Sequence, residues 1–398
     1  MRMWASRSSK IPCVVFVDDF AWIGFNQFSV QLRHEGIRTL RVNANSRARP
    51  PLSARMLYDR GSARLLYDRY EILSNDHDVA GLRKILQSEA VLDVQFVETL
   101  GDLVLEASDA LGVDVRNAVR RRVEMTDKFA ASKLFAEAGV RTPTAVPLSR
   151  WSAEDAAQNL GLPVVVKDRI GSGGSTVVIA QDIDELRTAV AERSSSIESS
   201  YYEEYVEGVK LNYGAVFSSD QLEQELTYRV TDWVQPVGTA IEAETIGDER
   251  LAAFGRSAVA ASGCVGLMNM DILRDQDGVD WLIDFNPRVF GGCTNFLLAD
   301  LNVAQGYLRT VGMRSSPPES SQLVSGIRLR IFPNSLSKRV LTGSFRQAVL
   351  GFLHESRPYL KRLGLRYWVA EAMATVVWVS MIRRTRSASH DSTKDEMH

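Results

Sequence analysis

Cysteine is scarce in this chain: there are three in 398 residues, at positions 13, 264 and 293. They form no close pair, which argues against a disulfide framework or a cysteine zinc cluster and suits a reducing, cytoplasmic setting. Charge of one sign is also lacking. Forty-seven Lys and Arg against 49 Asp and Glu leave a formal charge of -2, so the basic excess of a general nucleic-acid binder is missing. The early part of the chain is locally rich in Arg, which reads as solvated surface. No run of about 20 apolar residues occurs, as a spanning helix would need. The early "IPCVVFV" is short and runs straight into Asp18 and Asp19, so it reads as a buried strand and not as a signal peptide. What is present is ordinary globular composition, 45% hydrophobic and 24% charged. The length exceeds one compact core and calls for two or three packed units.

Strand-like and helix-like stretches alternate, which predicts an α/β protein. "CVVFVDD", then "FSVQLRHEG", then "RTLRVN" is the opening of a βαβ unit. "VLDVQFVET" supplies another strand and "LGDLVLEASDALG" the helix after it. This first unit is placed at residues 1–117. The short echo of "ARMLYDR" in "ARLLYDR" is local and not a solenoid repeat. "TDKFAASKLFAEAGV" predicts an amphipathic helix ending at Gly139, with "RTPTAVPL" as an extended exit. "LPVVVKD" and "STVVIA" read as two strands around a glycine-rich turn. "GMRSSPPESS" has linker composition and closes a central unit at 118–312. Residues 313–398 form a third, mostly helical region that ends in a polar, disordered tail.

The chemistry concentrates in "GLMNMDILRDQDGVDWLIDFNPR", which reads as two antiparallel strands joined at "RDQDG". Alternation along a strand points Asp284 and Asn286 the same way, and the hairpin brings Asp271 across from them. Three hard oxygen donors on one face suit Mg²⁺ shared between protein and phosphate. The plain alternative is a solvated acidic hairpin, because Asp275, Asp277 and Asp280 lie there too. A second stretch, "VVVKDRIGSGGSTVVIA", ends a strand at Lys167 and continues with Gly171, Ser172, Gly173, Gly174 and Ser175. Glycines allow close approach of backbone N-H groups to a polyphosphate. No Lys and no helix follow, so this is neither a Walker loop nor a dinucleotide fingerprint, and a plain turn is the alternative.

The order of these parts resembles the ATP-grasp superfamily, over roughly Val91 to Gly312. Lys128 in "TDK" is similar to that family's first phosphate-binding lysine, and Lys167 to its second. "GSGGS" resembles its mobile loop over the triphosphate. "YYEEYVEG" looks like the hinge that holds adenine, here Glu203, Glu204, Tyr205 and Val206. Asp271, Asp284 and Asn286 fall at the magnesium ligands, and Arg288 at the arginine of the Asn-Pro-Arg ending. The resemblance implies an ATP-grasp core of α+β type behind an N-terminal βα domain, with ATP and Mg²⁺ (or Mn²⁺) as cofactors. It also implies the activity of a carboxylate-amine ligase: a carboxylate is phosphorylated to an acyl phosphate, which an amine attacks, with ADP and phosphate released.

Two residues depart from the family pattern. Lys210 stands where an acidic residue commonly accepts the ribose hydroxyls, with Glu207 as a substitute, and Asp284 stands in place of the more usual Glu, a shorter arm that favours one metal ion over two. Arg229, in "LTYRVTDW", is a candidate anchor for a substrate carboxylate, with a surface arginine as the alternative. The expected substrates are a small carboxylate, an amino acid or peptide, and an amine. Two other function classes stay open. One is a carboxylase of biotin-carboxylase or carbamoyl-phosphate type; the other is a nucleotide-binding module without catalysis. "LRYWVAEAMATVVWVSMIRRTR" is apolar nearly all round, which suits burial against the body or a second subunit as in a homodimer. A helix lying at a membrane surface is the alternative.

Overall fold

The computed structural model describes residues 11–19, 23–44, 61–171, 176–219, 221–233, 240–314, 323–331 and 345–373. The chain divides into two compact units, residues 1–115 with 331–398, and residues 116–330. The glycine-loop positions Ser172, Gly173, Gly174 and Ser175, most of the linker after Gly312 and the polar tail lie outside the described residues.

The first unit is built on four parallel strands, β1 (Pro12–Asp18), β2 (Arg38–Asn43), β3 (Arg69–Ile72) and β4 (Ala90–Phe96), in the order β3-β2-β1-β4. "CVVFV" is fully buried in β1, as an unbroken apolar run in a parallel strand should be. Asp18 and Arg41 are buried together, with Arg41 Nε and Nη2 donating to Asp18 at 2.9 and 2.7 Å. A buried ion pair of this geometry is strongly unfavourable to break from one side. Residues 345–355 and 357–373 of this unit are helical. No helix among the described residues is long and apolar enough to cross a membrane.

The second unit holds two sheets. The smaller has β5 (Ala145–Pro147), β6 (Val164–Asp168), β7 (Val177–Ala180) and β8 (Ser200–Glu204), in the antiparallel order β5-β8-β6-β7. The helices Ala153–Leu160 and Ile183–Ala191 pack on it through Ala156, Leu186 and Ala189. The larger sheet has β9 (Val209–Phe217), β10 (Leu222–Trp233), β11 (Ala240–Ile246), β12 (Gly266–Arg274), β13 (Asp280–Asn286) and β14 (Ser325–Arg330), in the antiparallel order β13-β12-β9-β10-β11-β14. Only residues 205–208 separate β8 of one sheet from β9 of the other.

Register assigns the two faces of the larger sheet. Leu211, Tyr213, Ala215, Met268 and Met270 join the core with the helices Lys128–Glu137 and Glu249–Ser262. The opposite face carries Lys210, Asn212 and Gly214, and Gly214 meets the rings of Phe290 and Phe296. A side chain at Gly214 would strike those rings, so glycine is required for the segment after β13 to close over this end of the face.

The height of the helix Glu249–Ser262 over the sheet is set at Gly255, where an added Cβ would overlap the Tyr213 ring. Alanine is favoured over glycine in a helix by about 1 kcal/mol, but overpacking a core typically costs about 1 to 3 kcal/mol. Gly255→Ala is therefore expected to lower the unfolding free energy by up to about 2 kcal/mol in a urea titration. A variant more stable than wild type would show that the ring has room to yield.

Candidate functional site

The hairpin expected around "RDQDG" is formed by β12 and β13. Asp275 N donates to Val279 O at 3.0 Å, and Gly278 turns with φ +77. Its acidic tip is structural. Arg274 donates to both oxygens of Asp280, at 2.7 and 2.9 Å, and Asp275 accepts Trp281 Nε1 at 2.8 Å. Asp280 is buried, so this carboxylate belongs to the hairpin's own packing.

Asp271 and Asp284 are direct cross-strand partners, and Asn286 lies opposite Asn269. Direct partners share a face, so Asp271, Asp284 and Asn286 are brought together, beside Asn212, the partner of Asp271 on β9. Like charges placed opposite each other destabilise a sheet unless countered. The counter-charges are lysines. Lys128 Nζ donates to Asp284 Oδ1, and Lys210 Nζ lies 2.8 Å from Asp271 Oδ2. Asn286 Nδ2 donates to Asp284 Oδ2 at 3.0 Å, and Asn212 Nδ2 donates to Asp271 Oδ1 at 2.5 Å.

Local structure places both Lys128 and Lys167. Asp127 caps the helix Lys128–Glu137, accepting from Ala130 N, and Arg169 Nε donates to Asp127 at 3.0 Å. Lys128 N also donates to Arg169 O at 2.8 Å. The start of the helix is thereby fastened to the end of β6. Lys167, on that strand and largely buried, donates to Glu203 and, at 3.3 Å, to Ile283 O beside Asp284. The smaller sheet thus touches β13 of the larger one through an ammonium group.

Burial acts to raise the Asp284 carboxyl, but the Lys128 ammonium, with Lys167 and the Asn286 amide, outweighs it and holds the group at about 2. Burial pushes the Glu203 carboxyl above its ordinary value, against the pull of Lys167. The Asp271 carboxylate holds the Lys210 ammonium above the usual lysine range, with burial opposing.

The remaining expected residues divide. Glu204 Oε2 accepts from Thr144 N at 3.1 Å, and Tyr205 and Val206 follow at the end of β8, with Tyr205 exposed. Gly171 follows β6 and is buried. Arg288 is buried; its Nη1 donates to Val289 O at 3.2 Å and its Nη2 to Asn286 Oδ1 at 3.4 Å. Arg229 is not brought to the site. It pairs with Leu211, on the core face of the sheet, and its guanidinium meets Glu244 at 3.3 Å near solvent. Lys210 is on an inner strand and a quarter exposed. Asn212 and the Asp127–Arg169 pair carry the site and were not singled out in the sequence. Only the i, i+2 spacing of Asn212 from Lys210 hinted at it.

The donors present fit magnesium. Among the described residues no three His, Cys, Asp or Glu side chains group as a metal cage, but Mg²⁺ is usually held by one or two carboxylates together with substrate phosphates. Two carboxylates and two amides on one face meet that need, and the buried Asn212 Oδ1 has no hydrogen-bond partner.

With this geometry established, residues 125–292 match the family model of the ATP-grasp domain. The carbamoyl phosphate synthase large chain of Rubrobacter xylanophilus is 26% identical over 282 residues, which is 65% of this chain and 25% of that one. The match therefore spans about a quarter of that relative. Among solved structures, carboxyaminoimidazole ribonucleotide synthase from Aspergillus clavatus, complexed with ATP, superposes with a TM-score of 0.62 at 14% identity, covering 79% of this chain and 80% of that chain. L-amino acid ligase from Bacillus licheniformis gives 0.56 at 16% identity, covering 79% and 77%. At such identities the likeness is one of fold.

The depressed Asp284 carboxyl makes a pH-dependent contribution. An unfolded Asp titrates near ~4, so the pair with Lys128 stabilises the fold above that pH, and the contribution is lost as pH falls from ~4 through the folded value of about 2. The stability difference between wild type and Asp284→Asn should be constant at neutral pH and shrink on acidification across that window. A difference that does not change with pH, in denaturant titrations, would mean that Lys128 does not hold this carboxylate.

Proposed function

We propose that this ATP-grasp domain binds ATP with Mg²⁺ and joins a small carboxylate to an amine through an acyl phosphate, releasing ADP and phosphate. The observation that carries the reading is the set of three ammonium–carboxylate pairs, Lys128–Asp284, Lys167–Glu203 and Lys210–Asp271. Such a face is neutral as it stands. A triphosphate arriving with a divalent cation can exchange partners with it, so that Lys128 and Lys167 turn to phosphate oxygens and Asp284 to the metal. A metal–polyphosphate complex brings both charges at once.

On this reading Lys128 and Lys167 bind the phosphates. Gly171, Ser172, Gly173, Gly174 and Ser175 are the residues whose backbone N-H groups are expected to meet them. Glu203 is turned to Lys167, so the backbone of Glu203 and Glu204, with Tyr205 and Val206, is what meets adenine. Asp284 and Asn286 would hold Mg²⁺, with Asp271 beside them on the same face, and the ion would neutralise charge on the β and γ phosphates. Arg288 releases Asn286 and moves its guanidinium toward the transferred group. A carboxylate oxygen attacks the γ phosphorus and ADP leaves. The amine nitrogen then attacks the acyl carbon, expels phosphate and loses a proton. The acyl phosphate is needed because a carboxylate itself would have to expel oxide. Arg229 has no part in this scheme.

A second reading, phosphorylation of bicarbonate, is favoured by the sequence likeness to carbamoyl phosphate synthase. The two readings differ in the acceptor and share the nucleotide site. A purely non-catalytic module is disfavoured by the complete set of lysines and oxygen donors.

Lys128→Ala and Lys167→Ala should each weaken ATP binding. Each removes a charge-assisted contact of roughly 1.5 to 3 kcal/mol, or about 10- to 100-fold in Kd. Unchanged affinity in both variants would take the lysines out of the site. With carboxylates offered and amine replaced by hydroxylamine, ADP and a hydroxamate should appear, and Arg288→Ala should abolish the hydroxamate. AMP as product would overturn the mechanism. ADP formed only with bicarbonate would select the second reading.

A further inference from the structure

The three lysines of the face differ in how they are held. Lys128 stands at a helix start and Lys167 at the end of β6, each contacting β13 from outside the larger sheet. Lys210 belongs to the larger sheet itself. It lies on β9, two residues before Asn212, the direct partner of Asp271, so its side chain reaches one diagonal step across to β12. Its Nζ is 2.8 Å from Asp271 Oδ2, while Asn212 Nδ2 takes Oδ1. Both oxygens of Asp271 are therefore engaged by neighbours on the same sheet, and the side chains of Lys210 and Asp271 are 27% and 22% exposed.

Two carboxylates facing each other beside a triphosphate need positive charge between them. An ammonium group attached to the sheet supplies part of it before any ion arrives. A divalent ion seated on Asp271 would have to sit beside that ammonium, whereas Asp284 can exchange Lys128 for a metal because Lys128 has phosphate to turn to. We propose that Lys210 is a built-in counter-cation for Asp271 that takes the place of a second metal ion and limits the site to one divalent ion, centred on Asp284 and Asn286. In its nucleotide-bound form the inference rests on the proposed ATP reading; the Lys210–Asp271 contact does not.

The test is a count of bound Mn²⁺ on the full chain, by loss of the free-ion electron paramagnetic resonance signal, with and without the imido analogue of ATP. With the analogue, wild type should bind one Mn²⁺ and Lys210→Gln two. Without it, Lys210→Gln should still bind one more than wild type. Lys210→Arg, which keeps the cation, should match wild type in both conditions. Lys210→Ala replaces the Gln variant if circular dichroism shows that the latter is unfolded. Equal counts in wild type and the uncharged variant would overturn the inference. Analogue bound with two Mn²⁺ in wild type would overturn it while leaving the ATP reading intact. An extra Mn²⁺ in Lys210→Gln, with no analogue bound by either protein, would do the reverse.

Discussion

Two aspartates stand directly opposite each other across β12 and β13, and much of the second unit is arranged to make that tolerable. Left alone, Asp271 and Asp284 would repel each other on a face that is largely out of water. Three elements from separate parts of the chain answer this. The helix Lys128–Glu137 brings one ammonium, β9 brings another, and β6 brings Lys167 against the backbone next to Asp284. A pair of like charges thus ties the helix and the smaller sheet to the larger sheet.

Holding those lysines takes further structure. Asp127 caps the helix that begins at Lys128 and is gripped by Arg169 just after β6, while Arg169 stacks on Phe129 at 5.6 Å. Two lysines that meet the site from different elements are therefore fastened to each other at their roots. Such preorganisation confines their ammonium groups to one region without fixing which partner they take, which is what an exchange of carboxylate for phosphate requires. Buried pairs of this kind contribute little net stability compared with apolar packing. On the proposed reading their role lies in the exchange of partners when nucleotide binds.

Much of this was legible in the chain itself. Strand alternation put Asp284 and Asn286 on one side, the turn at "RDQDG" set the hairpin, and the apolar periodicity of "TDKFAASKLFAEAGV" marked the helix that carries Lys128. These are local signals, read within a dozen residues. The edge strand Ser325–Arg330 was less legible, because "SGIRLR" sits between linker-like and mixed sequence and becomes a strand by pairing with β11. Arg229 shows the same limit from the other side. Its suitability for a carboxylate was a matter of chemistry, but its face depends on the register of β10 with β9, and a shift of one residue would reverse it.

The sequence by itself determined the strands and helices with strong periodicity, the identity of the oxygen donors and lysines, and the order in which they come. It could do so because alternation, capping and turn chemistry act between near neighbours. Tertiary structure alone decided the pairing: that Lys210 meets Asp271 and not solvent, that Glu203 turns to Lys167, that Arg288 braces Asn286, and that Asn212 completes the face. Each of those contacts except the bracing of Asn286 joins residues more than thirty positions apart, where charge and distance are set by how sheets pack and not by the residues that intervene.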